Sequence, residues 1–179
     1  MASLKHIISI LERLAPPRLA ESWDNTGIIL HPEKLRANSP RILLTIDLTP
    51  AVCQEALDTP TSVIVAYHPP IFKPLSSLSY NDPIQNSLLK CAVAGIAVYC
   101  PHTALDTVQG GINDWLAHGL GNGGVESIRS IPGEDVGIGR RVSLADEVPL
   151  DALVAKIKNF LHITNGTDRL LRTTLRALY

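Results

Sequence analysis

The sequence predicts an α/β fold, a mostly parallel sheet with helices on its faces. Three observations carry that expectation. Largely continuous apolar runs recur at Arg41–Asp47, Ser62–Ala66 and Ile96–Cys100, the pattern of strands buried on both faces. Helically patterned segments separate them, and strand–helix–strand order builds parallel sheets through right-handed crossovers. The 179 residues are 45% hydrophobic and 18% charged, which suits a soluble globular chain. At that size folding removes roughly two thirds of the unfolded surface from water, so stability needs neither a disulfide nor a structural metal.

In order, the opening Met1–Ala15 places Leu4, Ile7, Ile8, Leu11 and Leu14 on a helical stripe that Pro16-Pro17 should end. A polar segment, Glu21–Asn25, leads into a short strand at Thr26–Leu30, and Pro32–Pro40 reads as a loop. After the first buried run, Thr49 is placed to cap a helix from Pro50 to about Leu57, with proline at a tolerated first-turn position. The second run meets Tyr67-His68-Pro69-Pro70, where two prolines end strand pairing. A loop at Lys73–Tyr80 and a helix from about Pro83 to Ala94 lead through Gly95 to the third run, which stops at Pro101. Another helix should run through Ile112, Trp115 and Leu116. Val125–Leu144 is broken by Pro132-Gly133, Gly137 and Gly139 and reads as two or three strands; Pro149–Leu161 is an amphipathic helix. The organisation expected is an amino-terminal metal-binding part at 1–124, connecting strands and helix at 125–161, and an atypical, locally basic tail at 162–179.

Sixteen Lys and Arg against seventeen Asp and Glu give a net charge of −1 without long runs of either sign. Neither a nucleic-acid nor a membrane surface is expected from that balance. Cys53, Cys91 and Cys100 are odd in number and set among apolar residues, as reduced, buried thiols would be. The opening stripe is too short for a membrane span or a signal peptide. A cytoplasmic location is expected, with mitochondrial and nuclear locations left open. The glycine-rich Gly119–Gly124 lacks a phosphate-loop ending, and neither a Gly-x-Ser-x-Gly elbow nor a Cys-x-x-Cys pair occurs.

Ligands of open α/β sheets bind beyond the carboxyl ends of the strands. His68 follows the strand ending at Ala66, and His102 follows the strand ending at Cys100, with Asp106 four residues on. Neighbouring strands lie about 5 Å apart, close enough for these side chains to converge on one ion. Imidazole and carboxylate suit a divalent ion of the zinc, manganese or iron class. A lone histidine after a strand is more often a hydrogen-bonded structural residue; two at equivalent strand ends strengthen the metal reading. Trp23 reads first as core, and Asp24-Asn25 as a turn with side-chain caps, while their position before a strand leaves open that they line the cleft.

Ser22-Trp23-Asp24-Asn25-Thr26-Gly27, Tyr67-His68-Pro69-Pro70-Ile71-Phe72 and Pro101-His102-Thr103-Ala104-Leu105-Asp106, with Gly110-Gly111-Ile112-Asn113 beyond, together resemble the NGG-one-interacting-factor-three family. That family is also described as homologues of type-two GTP cyclohydrolase I. The resemblance runs from about Leu4 to about Gly139 and implies two neighbouring metal ions, with His68 and Asp106 as ligands of one. His102 is implied as a further ligand or as a residue that orients one. Where the family has two adjacent histidines this chain has Tyr67-His68, so a phenol, a weak ligand unless deprotonated, replaces one imidazole. The family's carboxy-terminal His-x-x-x-Glu pair finds no match: only His102 and Asp106 have that spacing between histidine and carboxylate, and they are already assigned. The expectation is therefore an amino-terminal part of such a protein, cut short, that holds one or two divalent ions and is hydrolase-like but inactive as it stands. The alternative is a non-catalytic regulatory protein that binds a transcriptional coregulator or another protein. The resemblance also implies a ring-shaped homo-oligomer.

Overall fold

The computed structural model describes residues 3–165. The basic stretch with Arg169, Arg172 and Arg176, and with it most of the expected tail, lies outside the described residues.

Helix α1 (Leu4–Leu14) starts at Ser3, whose Oγ accepts from the His6 amide at 3.2 Å, and stops before the two prolines, which enter a single 3-10 turn at Pro17–Leu19. Strand β1 (Gly27–Leu30) is followed by β2 (Arg41–Thr45), α2 (Pro50–Asp58), β3 (Thr61–Ala66), α3 (Pro83–Ala94) and β4 (Ala97–Cys100). Thr49 caps α2 as expected, with its Oγ1 accepting from the Val52 amide at 3.2 Å, and Asp82 caps α3 through the amides of Ile84 and Gln85. Gly95 ends α3 with a φ of +73°, and a Cβ there would stand 2.6 Å from the Lys34 carbonyl oxygen, so glycine is needed for both conformation and space.

The sheet order is β1-β4-β3-β2. Strands β2, β3 and β4 run parallel, and β1 adds antiparallel to β4. One core lies between the sheet and the α2–α3 pair, where Leu43, Ile64, Ala66 and Val98 meet Cys53, Ala56, Leu88 and Cys91. A smaller core lies under α1, where Ile7 covers Val63 and Ala97. The three cysteines are free and buried.

Strands β3 and β4 are closed on both faces, but β2 corrects the expectation of a doubly buried strand. It is the sheet's edge, and although Leu43 is buried, Ile42, Leu44 and Ile46 are exposed. The reason is geometric: Ile42 and Leu44 pair with Val63 and Val65 on the α1 face, and α1 reaches only the inner strands of that face.

A short helix α4 (His102–Thr107), which sequence patterning did not separate, precedes α5 (Ile112–Leu120). The broken region forms a two-stranded antiparallel hairpin, β5 (Gly123–Ser130) and β6 (Gly137–Leu144), and α6 (Leu150–Leu161) follows.

Candidate metal centre

Parallel pairing of Val63, Ile64 and Val65 with Ala97, Val98 and Tyr99 brings the carboxyl ends of β3 and β4 out together. The ladder between β2 and β3 runs two residues further: the Tyr67 amide donates to the Thr45 carbonyl and the His68 amide to the Ile46 carbonyl, both at 2.9 Å. Beside β4, His102 opens α4 with a φ of +31°. For a non-glycine residue such backbone costs about 1–3 kcal/mol and persists only where neighbours fix it. Asp106 lies one helical turn on and so shares a face of α4 with His102.

The sequence-predicted residues therefore gather on one rim. Ring centroids stand 5.0 Å apart for Tyr67 and His68, 5.6 Å for Tyr67 and His102, and 5.7 Å for His68 and His102. The Tyr67 hydroxyl donates to Asp106 Oδ1 at 2.7 Å, and the Asn113 side-chain amide donates to the Asp106 carbonyl at 3.0 Å. Burial and the hydrogen bond to Asp106 push the Tyr67 phenol well above its ordinary pKa. Its hydroxyl is thereby engaged as a hydrogen-bond donor to Asp106.

Two carboxylates that sequence reasoning did not assign complete the rim. His68 Nδ1 bonds Asp47 Oδ1 at 2.9 Å, and His102 Nδ1 bonds Asp24 Oδ1 at 2.7 Å. The first pair is well exposed, whereas the Asp24 side chain is wholly buried. Asp24 Oδ2 accepts from the Thr103 amide at 3.1 Å and from the Thr103 hydroxyl, and Asp24 Oδ1 also accepts from the Asn25 amide at 2.7 Å. Burial by itself would raise the Asp24 carboxyl, but the bonds from His102, Thr103 and Asn25 more than offset it and hold its pKa below the ordinary value. The available signal was positional: Asp47 follows its strand much as His68 does, and Asp24 belongs to a quoted motif.

Trp23 is corrected from core to rim. It is 59% exposed and meets Phe72 edge-on at a centroid distance of 6.0 Å, with both rings standing over His102 at 6.3 and 6.4 Å. Asn25 fastens this wall by donating to the Ile71 carbonyl at 2.5 Å.

The donor chemistry fits a divalent ion. Each imidazole has Nδ1 bonded to a carboxylate, which leaves Nε2 as its other ring nitrogen, and such outer carboxylates fix ring orientation at known metal sites. The donor count is incomplete, because among the described residues no three His, Cys, Asp or Glu side chains are grouped closely enough to hold an ion.

The model of the Duf34/NIF3 (NGG1p interacting factor 3) family matches residues 2–174. The chain belongs to the Duf34/NIF3 family. The match continues past Leu161 into the segment expected to be an atypical tail. Among Duf34/NIF3 relatives, a NIF3 homologue of Schizosaccharomyces pombe is 44% identical over 157 residues, which cover 83% of this chain and 56% of the relative. The NGG1-interacting factor 3 of Saccharomyces cerevisiae is 36% identical over 90% of this chain and 62% of its own length. This chain thus spans less than two thirds of either relative. A solved Staphylococcus aureus structure, 23% identical, superposes with a TM-score of 0.77 over 90% of this chain and 65% of that one, a likeness of fold. No helix among the described residues is long and apolar enough to cross a membrane.

Proposed function

We propose that this chain contributes His68, His102 and Asp106 to a divalent-metal centre that serves hydrolysis of a small polar substrate. The observation that carries the reading is the pair of carboxylate-bonded histidines at neighbouring strand ends, beside the Asp106 carboxylate. A bound divalent ion of the zinc, manganese or iron class lowers the pKa of its water and so supplies hydroxide near neutral pH. The chain's own residues do the rest. Asp24 and Asp47 hold the imidazoles by their Nδ1 atoms, the Tyr67 hydroxyl holds Asp106, and Trp23 and Phe72 wall one side of the cleft against water. Because a catalytic site ordinarily holds its ion with three well-placed protein ligands and no three such side chains are grouped closely enough among the described residues, binding is weak and turnover by this chain is low. A second ion, a homo-oligomeric ring and a cytoplasmic location belong to the same proposal.

His68→Ala, His102→Ala and Asp106→Ala are each expected to lower the divalent-metal content found by elemental analysis. Unchanged stoichiometry in all three variants would sink the assignment. The yeast relative's name as an interacting factor favours a second reading, a non-catalytic protein that binds a protein partner such as a transcriptional coregulator. A panel of nucleotides and other small phosphate and amide substrates separates the two: metal-dependent product release supports the hydrolase, and stable complex formation without turnover supports the binding protein.

A further inference from the structure

We propose that Asp24 is a positioning residue that fixes His102 as the tautomer with its proton on Nδ1, so that the lone pair of Nε2 faces the rim. The inference rests on the metal-centre reading for its consequence, but its physical content concerns this chain's own atoms.

A carboxylate only accepts hydrogen bonds, so the 2.7 Å contact between His102 Nδ1 and Asp24 Oδ1 requires the imidazole to donate from Nδ1. Neutral imidazole carries one ring proton, and Nε2 is then an acceptor on the other side of the ring. The His102 side chain keeps 17% of its surface exposed, and the rings of Tyr67 and His68 on the rim stand 5.6 and 5.7 Å from it. The carboxylate cannot turn to release the histidine, because both its oxygens are engaged: Oδ2 by the Thr103 amide and hydroxyl, Oδ1 also by the Asn25 amide. Thr103 is itself fixed, since its Oγ1 accepts from the Glu21 amide at 3.0 Å. The Asp24 side chain is shielded from water, so no solvent molecule competes for His102. The same bonds bridge the segment before β1 to the first turn of α4, where His102 holds a φ of +31°.

His68 offers the internal contrast. Its partner Asp47 is 62% exposed and the ring itself 49% exposed, so water exchanges freely with that bond and tautomer control there is weak. The two histidines look alike in sequence and differ in how firmly the fold orients them.

The discriminating substitution is Asp24→Ala, which removes the acceptor that the structure gives His102 Nδ1. Asp24→Asn would not decide, because either its oxygen or its NH2 group can face the imidazole, and the NH2 meets the Asn25 amide in one placement and the Thr103 amide in the other. Without that acceptor the ring is no longer held as the Nδ1 tautomer, and neutral imidazole returns to its preferred form with the proton on Nε2. Long-range 15N–1H correlation spectra of the full metal-free chain at a mildly alkaline pH read the tautomer directly, with His102→Gln identifying the signals. Wild type is expected to show His102 protonated on Nδ1, and Asp24→Ala to show it mainly protonated on Nε2. Zinc affinity, measured by competition with a chromophoric chelator, should fall about tenfold to a hundredfold in Asp24→Ala, the usual cost of losing such a partner. Asp47→Ala should change it less than threefold, roughly the limit expected for an exposed pair. If Asp24→Ala does not fold, the wild-type spectrum decides: a His102 protonated on Nε2, or a mixture of tautomers, overturns the inference. An unchanged tautomer in a folded Asp24→Ala overturns it equally. A correct tautomer with zinc binding untouched by His102→Gln would instead remove His102 from the metal centre and leave the role of Asp24 standing.

Discussion

The four-stranded sheet and the hairpin with its following helix are held by different forces. In the sheet, β3 and β4 are buried almost throughout, and Val63, Ile64, Ala97 and Val98 have no exposed surface at all. In the second region nearly all of β5 is exposed, and α6 has no buried residue. Its apolar stripe meets α5, through Trp115 against Phe160 at a centroid distance of 4.8 Å, with Gly119 leaving room where a Cβ would strike the Phe160 ring. What fastens the hairpin is polar. Arg140 bonds Asp114 and donates to the carbonyls of Gly137 and Gly139 and, at longer range, of Thr107 and Val108. Arg129 bonds Glu21, and Arg18 bonds Glu134. Both regions have the apolar patterning of their elements, so patterning alone does not report which region makes its own core.

The largest expected effect tests that difference with matched truncations. Ile64→Ala removes a fully buried side chain from the main core and should cost about 2–5 kcal/mol of global stability in a denaturant titration. Ile128→Ala, on the exposed β5, should cost less than about 0.5 kcal/mol. Similar losses at the two sites would mean that the hairpin is packed in solution, and the comparison would break.

The contrast also explains how much of the molecule was legible. The parallel order, the helix caps at Thr49 and Gly95, and the placing of His68, His102 and Asp106 along one rim follow from local chemistry and from β3 and β4 being neighbours, whereas the expected convergence of the three on one ion is not seen among the described residues. The exposure of β2 was not legible, because an apolar run such as Arg41–Asp47 reads the same whether one face or both are covered. The choice between core and cleft for Trp23 was not legible for the same reason, since a large aromatic is placed by its surroundings and not by its own residue type. Asp24 and Asp47 escaped notice as partners of histidine because their bonds span 78 and 21 residues, and sequence spacing carries no signal for pairings that the fold alone creates.

A smaller effect should follow from the polar fastening. Asp114 and Arg140 are only 14% and 6% exposed at their side chains, so breaking their pair leaves a poorly hydrated charge. Hydrogen bonding from Arg140 is the main reason the Asp114 carboxyl lies below its ordinary pKa; burial opposes this, and the Gly110 amide and the Arg140 charge add to it. A depressed carboxyl contributes stability that is fully present above the unfolded pKa of about 3.9 and is lost as pH falls through the folded value. Hydrogen exchange should therefore show the β5–β6 amides losing protection below about pH 4. Asp114→Asn should weaken that protection by about 2 kcal/mol at neutral pH and flatten its acid dependence. If protection falls equally in β3 and β4, the hairpin and the sheet unfold as one unit.

The smallest effect on folding is expected at Leu44 on β2, where the two kinds of region meet within one strand. Leu43 is 5% exposed and faces the main core, while its neighbour Leu44 is 76% exposed on the opposite face. Leu43→Lys would bury an unpaired ammonium and should abolish folding, whereas Leu44→Lys should change folding stability by no more than about 0.5 kcal/mol. Leu44→Lys has a separate expected consequence. Ile42, Leu44 and Ile46 form an exposed apolar row along an edge strand whose outer backbone groups have no strand partner among the described residues, and such edges pair with one another unless a charge intervenes. Light scattering across a concentration series should show less self-association in Leu44→Lys than in wild type, with Val93→Lys, on the exposed side of α3, as the control for added charge. A Leu44→Lys chain that unfolds as Leu43→Lys does would mean that the outer face of β2 is covered in solution. In that case β2 would belong with β3 and β4 as a doubly buried strand, and the boundary between the self-packed and the open part of the molecule would move outward by one strand.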